Sequence, residues 1–174
     1  MPRAKSRQLL AYILKIYKHA TALNLMRLSY LIDFIVHEKR GHSISVFNYK
    51  LLSFGPFDEN IFSCLENLVR NRLIHSHANY TQNGLEYVTY AYNDRVDDVK
   101  FKNELMPDIS LSEFYCVRDI LYELYNYSEK DITAMVYKTK PVKALGVREP
   151  GCFLASIQSL NFSQHAPVAP ASQN

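Results

Sequence analysis

The chain has 174 residues, 48% of them apolar and 21% charged, with a formal net charge of +3. That is enough for one domain with a real core, in the balance of a soluble globular protein, and no apolar run is long enough to cross a bilayer. The mild charge does not argue for a nucleic-acid partner, and three widely spaced cysteines (Cys64, Cys116 and Cys152) argue against a disulfide framework or a zinc knuckle.

The basic N-terminus is followed by an apolar segment broken by Gln8, Lys15 and Lys18, which makes a poor signal peptide; a cytoplasmic protein is the default expectation. Ser6 is placed to cap a first helix running to about Lys18. A second helix is expected from about Asn24 to Lys39, apolar over most of its girth and therefore central, with Gly41 as its C-cap. Residues 43–54 read as part strand and part turn. Asp58 then caps a third helix with Ile61, Leu65, Leu68 and Val69 inward. Two β runs flank Gln82-Asn83-Gly84, and Asn-Gly is a strong hairpin signal. Residues 93–108 read as irregular. A fourth helix follows over 111–125, then a fifth that begins at a Ser128/Asp131 capping box and stops at Lys140-Pro141. The expected fold is mainly α with a small β-hairpin (α+β), one domain over residues 1–155 and a disordered tail over 156–174.

Chemistry-bearing groups are sparse. Asp33 and His37 stand at i, i+4 with Glu38 beside them, and His75 and His77 alternate along a predicted strand. Two ligands do not make a metal site, so a hydrogen-bonded or solvated helix face and a polar strand face are the better readings. No nucleophile elbow or phosphate-cradling loop is present, and neither an enzyme activity nor a cofactor is expected. Three helices followed by a hairpin is the element order of a winged helix, which would read DNA. The start of the third helix, Asp58-Glu59-Asn60, is acidic, however, and the hairpin tip carries no Lys or Arg, so DNA is possible but not favoured.

Tyr49-Lys50-Leu51-Leu52-Ser53-Phe54-Gly55-Pro56-Phe57 is built to be stiff, because proline fixes its own φ and restricts the residue before it. This stretch also carries a family resemblance. Met26 to Phe34 is similar to a K-L-x-Y-like early helix; Phe54-Gly55-Pro56-Phe57 matches an aromatic, Gly-Pro and apolar step; Asn71-Arg72-Leu73-Ile74 resembles a helix ending in G-L-I; Ser128 to Pro141 resembles a late helix with a Thr-x-Pro-type end. Together, over about residues 8–145, they resemble the Panacea domain, the SocA-like antitoxin family. The chain departs from it in lacking Trp before Gly-Pro and the late His and Pro-Trp. The resemblance implies an antitoxin of bacterial, phage or mobile-element type that silences a cognate toxin by direct binding, the toxin being encoded by a neighbouring gene, with no membrane partner. A partner-binding surface is expected at Tyr49, Phe54, Gly55, Pro56 and Phe57 together with Thr139 and Pro141, since preorganised loops lose little entropy on binding.

Overall fold

A computed structural model of the chain describes residues 3–97, 99, 101, 108–147, 150–151, 158–160 and 162. Its elements are helices α1 (Arg3–Tyr17), α2 (Ala22–Arg40), α3 (Asn60–Arg70), α4 (Leu111–Leu124), α5 (Glu129–Lys138) and α6 (Lys140–Ala144), with strands β1 (His19–Thr21), β2 (Lys50–Leu52), β3 (Gly55–Phe57), β4 (Ile74–Tyr80), β5 (Glu86–Tyr92) and β6 (Gln158–Ser159). The mainly helical α+β expectation holds.

The helices follow their sequence signals with local corrections. Ser6 lies inside α1 and is buried; its hydroxyl accepts the Val46 N–H at 3.1 Å, tying the first helix to the loop before β2. Thr21 caps α2, accepting from the Asn24 N–H, and Gly41 ends it in the left-handed region at φ +76°. Asp58 does serve the start of α3, accepting the Asn60 N–H at 2.9 Å and, on its other oxygen, the Asn48 N–H at 2.7 Å. Ser128 and Asp131 form the predicted capping box of α5. Pro141 ends one helix by starting another: Thr139 terminates α5, and α6 carries the proline in its first turn, where its missing N–H costs nothing.

α2 is central as expected, packing on α1, α3, α4 and α5. It shares that position with α1, whose Leu9 to Leu14 are all buried. β4 and β5 form the predicted hairpin, closed by the Gly84 N–H to the Thr81 carbonyl and with Gly84 at φ +77°. More β structure is present than one hairpin. β1 pairs antiparallel with β5, giving the order β1-β5-β4, and a second antiparallel sheet has the order β3-β2-β6. These additional strands are two or three residues long, too short to show a period of two in sequence.

Part of the segment expected to be a tail is docked. Ser159 and Gln158 pair with Lys50 and Leu51, Leu160 is buried, and the Phe162 ring packs among aromatic side chains of the body. The rest of 156–174 lies outside the described residues, as does Cys152. Cys64 is buried and Cys116 partly so, both as free thiols.

Candidate protein-binding surface

The site is built outward from Asp33. Its carboxylate is fully buried and accepts from the Ile44 N–H (2.8 Å), the Ser45 N–H (2.8 Å), the Ser45 hydroxyl and the Tyr49 hydroxyl (2.6 Å). Burial pushes this carboxyl up from the usual range, and the four donors pull it back without cancelling the effect. Asp33 thus pins the loop from 44 to 49 that delivers β2. Of the face read from sequence, Asp33 is buried and hydrogen-bonded, His37 is partly exposed, and Glu38 is exposed and accepts from Lys140 at 2.9 Å. Among the described residues no group of three or more His, Cys, Asp or Glu is placed to hold a metal. The His37 ring lies 5.6 Å from that of Phe162, and His75 and His77 share an exposed strand face with rings 6.4 Å apart.

A second buried pair locks α5 to α2. Thr139 donates its hydroxyl proton to the Val136 carbonyl (2.7 Å), so the Tyr30 hydroxyl donates to Thr139 Oγ1 (2.8 Å). Burial raises the Tyr30 phenol well above its ordinary value. The Tyr30 and Tyr49 rings meet edge to face at 5.3 Å.

On this support sits the β2–β3 hairpin. Gly55 has φ +124°, which residues with a Cβ rarely adopt, and a Cβ there would stand 3.8 Å from Arg27 Nε. Arg27 in turn donates to the Phe54 carbonyl (3.0 Å) and to Asn24 (3.3 Å), fixing the turn to α2. Pro56 sits in β3, an edge strand, where its missing N–H breaks no ladder bond.

The residues expected at a partner surface therefore divide. Tyr49, Gly55, Pro56, Thr139 and Pro141 are buried and act from beneath. Phe54 is 40% exposed and Phe57 is half-buried. Their rings meet edge to face at 5.5 Å, and Phe57 leads to Phe62 at 5.8 Å, itself 48% exposed. Phe62 continues into a groove of about 450 Å³ shared with Leu23, Tyr87, Val88 and Tyr90. Beyond it the hairpin exposes Tyr80 and Leu85. On the other flank, Arg27, Glu129, Thr133 and Tyr137 line a further groove of about 570 Å³. Phe62, Tyr87 and Val88 were missed from sequence. The available signal was position: Phe62 stands off the inward series of Ile61, Leu65 and Leu68, so a large aromatic ring had to face outward.

With the β2–β3 hairpin inserted between α2 and α3, the elements α1, β1, α2, α3, β4 and β5 with sheet order β1-β5-β4 follow the order of a winged helix, and the face that would meet DNA includes exposed Phe62, Tyr87 and Val88. A scan against protein-family models matches residues 25–141 to the antitoxin SocA-like, Panacea domain. The chain belongs to this family. No curated protein and no solved structure matches it. The Panacea match begins in α2 and ends at Pro141, so it takes in Arg27, the Gly-Pro hairpin, Phe62, the wing and Thr139. Among the described residues, no helix is long and apolar enough to cross a membrane.

Proposed function

We propose that the chain neutralises a cognate toxin by direct binding, through the Phe54–Phe57–Phe62 run and the adjoining groove at Tyr87 and Val88. It acts as a binding protein, not as an enzyme. The observation that supports this most is the exposed aromatic run held on a locked base: a contiguous apolar surface on a monomer marks an interaction site, and rigid aromatics are the usual anchors of protein interfaces. The toxin is sought in the neighbouring gene. Phe54→Ala with Phe62→Ala should weaken toxin binding by roughly 30-fold or more, as for hot-spot residues. Both side chains are substantially exposed, so cooperative melting should persist. Binding by titration calorimetry and growth rescue on co-expression are the readouts, and wild-type rescue by the folded double variant overturns the surface. A DNA-binding regulator is the second reading, favoured by the winged-helix connectivity alone.

A further inference from the structure

β2 has two edges. β3 covers one, and the other is met by residues 158–160. The contact is short: Lys50 pairs with Ser159, Leu51 with Gln158, and the Leu160 N–H reaches the Tyr49 carbonyl at 2.8 Å. A two-residue strand adds little stability by its ladder alone. Two apolar side chains of the segment, Leu160 and Phe162, pack on the body. Leu160 is buried, and Phe162 enters a slot whose walls are Tyr30 (ring centroids 5.5 Å apart), His37 (5.6 Å), Phe34 (6.1 Å) and Tyr49 (6.1 Å). An open groove of about 310 Å³ runs beside Leu160 and Phe162, lined by His37, Ser43, Phe47 and Asn48.

A strand edge flanked by a side-chain pocket is the arrangement by which sheets take up extended peptides: the ladder supplies affinity and the pocket supplies choice. Here the slot holds an aromatic ring two positions after a buried apolar side chain, and an open groove adjoins it.

We propose that the β6-paired edge of β2 and the slot beside it form a binding site for an extended apolar-x-aromatic segment of a partner protein, which β6, Leu160 and Phe162 occupy in cis. Displacing them exchanges one short ladder, one apolar residue and one aromatic ring for another set of the same kind. The outcome is then decided by concentration and by how well the incoming ring fills the slot. A tethered segment has an effective concentration on the order of mM, so a weak competitor in trans is excluded and a well-fitting one is not. The inference rests on reading the chain as a protein-binding module, but its test needs no toxin, so the two fail separately.

The experiment uses the full chain, wild type and Phe162→Ala, with a fluorescein-labelled peptide spanning residues 158–164 as probe. Fluorescence anisotropy should show the peptide binding the Phe162→Ala chain about tenfold or more tightly than wild type, because the slot is then open. The same peptide carrying Phe162→Ala should bind neither chain. Equal binding to both chains, or none to a Phe162→Ala chain that still melts cooperatively, overturns the proposal. Loss of cooperative melting in Phe162→Ala also overturns it, since residues 158–162 would then belong to the core. A wild-type dimer in sedimentation that Phe162→Ala abolishes, without peptide binding, would assign the slot to a second copy of the chain instead.

Discussion

Two residues carry costs that can be measured. Arg72 has φ +58°, in the left-handed region, where it closes α3 with the Leu73 N–H on the Leu68 carbonyl (3.0 Å) and its own N–H on that of Val69 (2.9 Å). That is the bond pattern of a helix end usually made by glycine. A residue with a Cβ is strained there by ~1–2 kcal/mol, part of which glycine returns through its freer unfolded state. Arg72→Gly should therefore stabilise the chain by ~0.5–1 kcal/mol and raise Tm by roughly 1–4 °C; an unchanged or lower Tm would show the strain relieved elsewhere. Tyr49 tests the opposite sign. Tyr49→Phe removes the 2.6 Å donor to Asp33 and should cost ~1–3 kcal/mol. Because Asp33 titrates above the usual carboxylate range in the fold, its own contribution to stability is full in acid and falls as pH rises through that raised pKa. The Tyr49 donor matters most once the carboxylate is charged, so denaturant titrations should show a larger deficit at neutral pH than in acid.

At the scale of elements, α4 is tied to the body through Glu113. Its carboxylate accepts from the Ser110 N–H (2.8 Å) in a capping box and from Lys5 on α1 (3.0 Å). Burial pushes this carboxyl up, but the bonds from Ser110 and Lys5 and the lysine charge outweigh it and hold it at about 2. A depressed pKa gives stability that is present above the ordinary carboxylate pKa and is lost as pH falls toward about 2. Glu113→Gln should thus lower Tm at neutral pH, and its gap from wild type should close as acid is added; a gap independent of pH would assign the loss to packing. The capping boxes, the Asn-Gly hairpin and the Gly41 stop were legible because each is a local rule written in adjacent residues. What sequence hid was long-range: Ser6 serving Val46, Asp33 serving a loop 11 residues and more away, and β6 finding β2. The same limit blurred the site. Gly55 and Pro56 announced a stiff turn, but which aromatics were buried beneath it and which left outside depends on packing partners far along the chain.

At the scale of the whole molecule, the winged-helix connectivity and the surface chemistry point to different partners, and the charge distribution weighs against DNA. Binding DNA through α3 and the β4–β5 wing would need cations on both. The exposed side chains of α3 are Phe62, Ser63, Glu66 and Arg70; those of the wing include Tyr80, Leu85, Glu86, Tyr87 and Val88, with His75, His77 and an uncharged tip at Thr81-Gln82-Asn83, and no Lys or Arg. Two carboxylates and several apolar groups on that face would lie against phosphate, and a net charge of +3 over the whole chain gives little long-range attraction. A DNA-bound protein releases counterions, so its affinity falls steeply with salt, with a slope of roughly 0.9 per phosphate contacted. Gel retardation on the DNA upstream of its own gene should show no shift in low salt, while toxin binding, carried by apolar contacts, should change little between low and physiological salt. Retardation that disappears with added salt and is weakened by Arg70→Ala would reverse the assignment and make the aromatic run secondary to a DNA-reading face.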